Sequence, residues 1–283
     1  MRHTRRVRTS LAAVLLAIAT TLAPPIARPL ASAPLASPSS TALPPETRRP
    51  ATLAWEVVSR RPHDALAWTQ GLQLDPEGRL FESTGLEGRS TLREVDPRSG
   101  RVLRSVALPD DRFAEGLALV DDRLIQLTWQ DGVATAWDAG SFTPLEQFAY
   151  DGEGWGLCFD GRRLVMSDGS DRLTFRDAAT FEPLGSVEVT LAGRPLAALN
   201  ELECVDGAVW ANVWLTDRIV RIDPEAGEVT GILDLPGILE APTPEGQDPP
   251  DVLNGIAWDA HAGTFLVTGK LWPELLEIRV TDP

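Results

Sequence analysis

An all-β propeller of five blades is the fold this sequence predicts, and three observations predict it. A short phrase recurs five times, as WTQGLQL, FAEGLAL, EGWGLCF, LNELECV and LNGIAWD, anchored at Leu72, Leu117, Leu157, Leu202 and Ile256, with intervals of 45, 40, 45 and 54 residues. Each copy is followed by short apolar or alternating runs parted by Gly, Asp and Pro, which read as strands and not as helices. The last copy is one run short, while a strand-like segment, Thr52 to Val58, stands unassigned before the first. Periods of about 40 to 50 residues with about four strands each mark propeller blades, and a first segment that completes the last blade would close the ring and hide its sheet edges.

In chain order, Arg2, Arg5, Arg6 and Arg8 precede an apolar run from Leu11 to Ala23. A positive start before an apolar stretch too short to span a bilayer is an export signal. The residues after Arg5-Arg6 fit a twin-arginine pattern poorly, so an ordinary secretory signal is expected, with the mature protein periplasmic or secreted and not inserted in a membrane. From Ala23 to Pro50 the chain is Ala, Pro and Ser with almost nothing to bury, which predicts a disordered leader. Residues 1–50 are thus set apart from one propeller domain over 51–283.

Within each repeat the second strand is expected at Arg79–Glu82, Leu124–Leu127, Leu164–Ser167, Val209–Asn212 and Phe265–Thr268. The third is expected at Leu92–Asp96, Thr135–Asp138, Leu173–Asp177, Ile219–Asp223 and Leu275–Val280. Fourth strands follow at Val102–Leu108, Leu145–Tyr150, Leu184–Val189 and Val229–Leu235. The connection Asp234 to Val252, rich in Pro and Glu, accounts for the longest interval and reads equally as a lid or as a surface insertion. Cys158 and Cys204 occupy equivalent places in adjacent repeats. An exported protein could pair them, but equivalent positions on neighbouring blades are usually farther apart than the Cα approach of about 4.4–6.8 Å that a disulfide requires, so two buried thiols are expected.

Charge narrows the function. The net charge is −15, and since residues 1–50 carry seven Arg and one acidic residue, the rest of the chain carries −21. Such a surface does not seek nucleic acid or anionic lipid. No phosphate-binding glycine loop, HExxH or paired-Cys metal signature is present, and the histidines, His3, His63 and His261, are scattered.

Read across the repeats, the position two before each anchor holds Gln70, Glu115, Trp155, Asn200 and Asn254. In a propeller the first strands line the axis, so these side chains would ring one mouth. A second ring, at the ends of the second strands, holds Gly85, Trp129, Gly169, Trp214 and Lys270, the only lysine in the chain. With Trp68 and Phe113 beside them, the tryptophans would form an aromatic cup over a polar floor, suited to a small molecule or a peptide terminus. Such a wall also attracts an amine by cation–π interaction.

The phrases WTQGL, ESTGLEGRSTLREVDP, FAEGLAL, LIQLTW, EGWGLCFDG, LVMSDGSDRLTF, LNELE, VWANVW, LNGIAWD and VTGKLWP together resemble the plant-type glutaminyl-peptide cyclotransferases, also found in bacteria, from about Ala54 to Arg279. The resemblance implies a five-bladed propeller that converts amino-terminal glutaminyl residues of peptides and proteins to pyroglutamyl with release of ammonia, with no cofactor and no catalytic metal; a monomer is expected. It puts the active-site glutamate at Glu115, polar partners at Gln70, Asn200 and Lys270, and the aromatic pocket at Phe113, Trp129, Trp155 and Trp214, with Trp68 and Glu87 as departures where Phe and Tyr are usual. Two other readings stay open on the residues alone. One is a metal-dependent lactonase, with Glu115, Asn200 and Asn254 around Ca²⁺; the other is a ligand-binding propeller without chemistry.

Overall fold

The computed structural model describes residues 49–243, 246 and 248–282; the expected export signal and nearly all of the leader lie outside them. The described residues form an all-β, propeller-like fold of five sheets with no α-helix. Its strands are β1 (Ala51–Thr52), β2 (Ala54–Pro62), β3 (Thr69–Leu74), β4 (Leu80–Thr84), β5 (Thr91–Val95), β6 (Val102–Ala107), β7 (Ala114–Val120), β8 (Arg123–Thr128), β9 (Val133–Asp138), β10 (Pro144–Ala149), β11 (Leu157–Phe159) and β12 (Leu164–Ser167). There follow β13 (Arg172–Arg176), β14 (Pro183–Glu188), β15 (Thr190–Leu191), β16 (Arg194–Pro195), β17 (Leu199–Val205), β18 (Ala208–Val213), β19 (Arg218–Asp223), β20 (Glu228–Asp234), β21 (Leu253–Asp259), β22 (Thr264–Gly269) and β23 (Glu274–Thr281).

Four sheets hold four strands each, β3 to β6, β7 to β10, β11 to β14, and β21 to β23 with β2. The fifth, β17 to β20, gains β1 and the short hairpin β15–β16 at its outer edge. The repeats foretold the strands to within a residue or two, but not that hairpin. The opening segment is not one strand: Ala51 and Thr52 pair in parallel with Gly231 and Ile232 of β20, Leu53 turns into the core, and β2 then pairs antiparallel with β23 from Ala54–Thr281 to Pro62–Glu274. The segment from Ala51 to Pro62 thus stitches two sheets, and the second pairing is the one expected of the last repeat.

First strands are buried, as in β7, whereas fourth strands such as β10 are mostly exposed. Apolar side chains fill the space between sheets. Phe81 and Leu92 pack on Leu117, Leu124, Trp137 and Phe142, and Leu72, Leu80 and Val95 pack on Ala257, Leu266 and Leu275. The first strands lie against one another in succession, β3 on β7, β7 on β11, β11 on β17, β17 on β21 and β21 on β3. The glycine before the anchor permits this approach: a Cβ on Gly116 would stand 2.6 Å from the Leu157 nitrogen, and one on Gly156 would stand 2.1 Å from the Asn200 oxygen. In the fourth repeat that glycine is replaced by Glu201, fully buried, whose carboxyl oxygens accept from the backbone N–H of Leu72 (3.2 Å) and Ile256 (2.7 Å). Glu201 therefore fills the space between β17, β3 and β21.

The same convergence corrects the cysteine expectation. Cys158 on β11 and Cys204 on β17 form a disulfide, with Cα atoms 5.5 Å apart. Sheets packed face to face stand about 10 Å apart, but neighbouring innermost strands approach almost as closely as paired ones. Closing a loop between residues 46 apart is worth about 4 kcal/mol on chain-entropy grounds.

Both ends of the connection between β20 and β21 are fastened. Ile238 is buried beside Leu53 and Leu235, with its carbonyl accepting from Arg60 (3.0 Å). At the far end Asp251 N–H donates to the Lys270 carbonyl (2.8 Å) and Lys270 N–H to that of Val252 (3.0 Å).

Candidate active site

In four of the five sheets the pairing of first and second strands is interrupted by a bulge, between Thr69 and Gly71, Ala114 and Leu117, Leu199 and Leu202, and Leu253 and Ile256. Bulges bend a strand and re-aim its side chains. These bulges carry Gln70, Glu115, Asn200 and Asn254. In the remaining sheet Trp155 precedes the strand, its N–H donating to the Ser167 carbonyl and its carbonyl accepting from Gly116.

A cavity of about 250 Å³ opens at this mouth, lined by Trp68, Gln70, Phe113, Glu115, Trp129, Trp155, Asn200, Trp214 and Lys270. All nine side chains of the expected aromatic cup and polar floor line it. Asn254 does not: it is buried behind the wall, where its Nδ2 donates to the Thr69 carbonyl (3.0 Å) and to Gln70 Oε1 (3.2 Å). That bond turns the Gln70 amide so that its Nε2 donates to Glu115 Oε1, at 2.8 Å.

The polar floor is sparsely partnered. Glu115 is 5% exposed, and among the described residues its carboxyl receives a single hydrogen bond, from neutral Gln70. Burial lifts its pKa well above the carboxylate range; Lys270 opposes that lift and Glu153 adds to it. Lys270 is 6% exposed, its ammonium 5.4 Å from the centre of the Trp68 ring. Burial lowers its pKa, against the pull of Glu115 and Asp251. The buried Asn200 Oδ1 has no partner among the described residues.

The glycines of the second ring have a spatial reason. A Cβ on Gly85 would meet the Phe113 ring at 2.4 Å, and one on Gly169 the Trp155 ring at 2.6 Å. The alternation of glycine and bulk is therefore the packing of the cup. Phe113 meets Trp129 edge-on at 5.6 Å, and Trp155 meets Trp214 at 5.4 Å.

Sequence reasoning missed one participant. Glu153 Oε2 accepts the indole N–H of both Trp129 (2.8 Å) and Trp155 (2.9 Å), while Oε1 accepts from Gln130 (2.9 Å). The Trp129 and Trp155 N–H groups are thereby committed to Glu153 and not to a bound molecule. The signal was in the phrase EGWGL, where an acid stands two residues before the tryptophan. Glu87, the second departure, sits exposed on a turn outside the cavity lining.

The family model for glutamine cyclotransferase matches residues 29–280. The chain belongs to this family. It is 40% identical over 226 residues to the glutaminyl-peptide cyclotransferase of Arabidopsis thaliana, covering 80% of this chain and 71% of that one. It is also similar to the crystal structure of Myxococcus xanthus glutaminyl cyclase, with 37% identity, a TM-score of 0.76, and coverage of 83% of this chain and all of the other. The family accounts for the cup and floor together, since both are built from the motif residues that carried the resemblance.

Proposed function

We propose that this protein is a glutaminyl-peptide cyclotransferase that closes amino-terminal glutaminyl residues to pyroglutamyl and releases ammonia. The carrying observation is Glu115, a buried carboxyl with one neutral partner, lining the same aromatic cavity as the only lysine of the chain. The neutral α-amine attacks the γ-carboxamide carbon, and the nitrogen must then lose a proton while the departing nitrogen gains one. Glu115 takes the first and gives it to the second. A carboxyl whose proton affinity is raised toward the working pH suits both transfers, and such groups contribute about 10² to 10⁴-fold.

Lys270 and Asn200 supply charge and dipole to the oxyanion that forms on the former amide carbonyl, where one donor is worth about 3 kcal/mol. Gln70, oriented by Asn254, keeps one Glu115 oxygen occupied and leaves the other to the substrate. The aromatic cup holds the curled side chain from which ring closure starts. Metal chemistry is disfavoured by the same contacts. The Gln70 amide occupies one Glu115 oxygen with a donor, and Asn254, an oxygen ligand in the Ca²⁺ reading, is turned behind the wall onto Thr69 and Gln70.

The five sheets act as the blades of one propeller over residues 51–283, closed by β2, in a reading supported by the contact of β21 with β3. Residues 1–50 serve as export signal and leader, so that a monomeric enzyme meets its peptide and protein substrates outside the cytoplasm; the basic start and apolar run support this. The deciding experiment is ammonia release from a peptide with amino-terminal Gln, with an Ala-terminated peptide as control. Ammonia and a pyroglutamyl product are expected, undiminished by EDTA. Loss of activity in EDTA with recovery in Ca²⁺ would instead favour the metal reading and overturn the metal-free mechanism.

A further inference from the structure

Glu153 lies on the turn that leads from β10 in one sheet to β11 in the next, and that turn is built rigidly. The Tyr150 hydroxyl donates to the Thr128 carbonyl and accepts from the Thr128 N–H (3.2 Å). Gly154 N–H donates to the Trp129 carbonyl (2.9 Å), and a Cβ on Gly154 would stand 2.4 Å from the Tyr150 oxygen. Only glycine allows the turn to settle on Tyr150, and in that position the Glu153 carboxylate reaches Trp129 of one sheet and Trp155 of the next.

We propose that Glu153 is a positioning residue for the cyclisation, holding two indoles of the cup, from neighbouring sheets, on a single carboxylate oxygen and placing a fixed negative charge behind the wall that Glu115 faces. The proposal rests on the cyclase reading above. Geometry carries the first part: one oxygen takes both indole N–H groups, at 2.8 and 2.9 Å, and Gln130 holds the other. The three donors keep Glu153 ionised; partial burial pulls its pKa up, but the bonds from Trp155, Gln130 and Trp129 outweigh it and leave it below the usual value. The second part follows from charge. Glu153 grips the N–H edges of Trp129 and Trp155, and both rings line the same cavity as Glu115 and Lys270, so its charge stands behind that shared wall and acts on Glu115 against the pull of Lys270. A fixed negative charge nearby disfavours a second, so Glu153 biases Glu115 toward its protonated form.

The two parts separate by substitution. Glu153→Ala removes acceptor and charge together, freeing both indoles. Glu153→Gln keeps a carbonyl oxygen for the indoles and removes only the charge, and Gln130 can turn its own amide to suit. Steady-state kinetics on a Gln-terminated peptide across pH, with indole N–H exchange followed by NMR, reads both. In Glu153→Ala, KM should rise about tenfold, the scale of lost hydrogen bonds to a charged acceptor, with two indole N–H groups losing protection and kcat changing far less. Glu153→Gln should recover most of the KM. In both variants the acid limb of kcat/KM should move to lower pH, since Glu115 has lost a like charge. A wild-type protein that releases no ammonia overturns the reading of the reaction, and this role with it. An active enzyme whose Glu153→Ala variant keeps KM within twofold, its acid limb unmoved and its indoles protected, overturns the role of Glu153 alone.

Discussion

Two carboxyls of this molecule, Glu82 and Glu115, are both buried and are treated in opposite ways. Glu82, on β4, is fully buried and surrounded by donors: Thr69 hydroxyl (2.6 Å), Arg93 Nε (2.8 Å) and His63 Nε2 (3.1 Å). His63 in turn sets Nδ1 against the Trp272 carbonyl (2.8 Å), and Arg93 also reaches Asp64 (2.8 Å). Both imidazole nitrogens face acceptors, an arrangement that favours the doubly protonated ring. Burial pushes the Glu82 pKa up, but Arg93 and His63 together overcome it and hold the carboxyl below the usual range. Glu115 has one neutral donor, and there burial wins. A fold keeps a buried charge by supplying it with partners; a site keeps a mobile proton by withholding them.

The two networks also touch the same parts of the chain. The Glu82 cluster ties Thr69, between Trp68 and Gln70, to the turn that follows Lys270, where Leu271 N–H also donates to the Ala67 carbonyl (2.7 Å). The saturated network thus fixes the frame on which the unsaturated one is hung.

Breaking the saturated side should have the largest effect on stability. Glu82→Ala leaves Arg93 and His63 buried without their counter-charge and should cost about 3–5 kcal/mol in denaturant unfolding. A cost below about 1 kcal/mol would mean that the cluster does not hold the first and last sheets together.

Breaking the unsaturated side should act on rate. Glu115→Gln keeps size and hydrogen bonding but cannot shuttle a proton, so kcat should fall about 10²-fold or more with KM nearly unchanged. Its stability should move the other way. A carboxyl whose folded pKa is raised stabilises fully below its unfolded value of 4.5, and that contribution is lost as pH rises through the folded value. At neutral pH, Glu115→Gln should therefore unfold at a higher temperature than the wild type, and near pH 4 the advantage should vanish. Near wild-type turnover in this variant would remove Glu115 from the proton path. Lys270→Ala should also act mainly on kcat, since its interaction strengthens as charge develops.

A smaller effect sharpens the comparison through pH. The His63 pKa is raised: burial lowers it, but the charge and hydrogen bond of Glu82 and the Trp272 carbonyl more than compensate. Its contribution is complete below the ordinary value of 6.5 and is lost as pH rises through the folded value. The stability difference between wild type and His63→Gln should thus be constant below that pH and shrink above it. Smallest of all, Trp155→Ala should raise KM more than it lowers kcat, since the ring holds the bound peptide before and during reaction alike.

The glycine-and-leucine phrase with its following runs was enough to predict the sheets, the pairing of the opening segment with β23, and all nine side chains of the cavity. Those features depend on periodicity along the chain and on the rule that equivalent positions in repeats meet at one mouth. The separation of Cys158 and Cys204, the place of Glu201, the withdrawal of Asn254 behind Gln70 and the bridge made by Glu153 depend instead on distances between residues that belong to different repeats. Only tertiary structure decided these, because each is set by how closely neighbouring first strands approach and where a bulge turns a side chain. Repeat spacing records that two positions are equivalent, whereas the opposite fates of Glu82 and Glu115 turn on which donors the folded chain brings within 3 Å of each carboxyl.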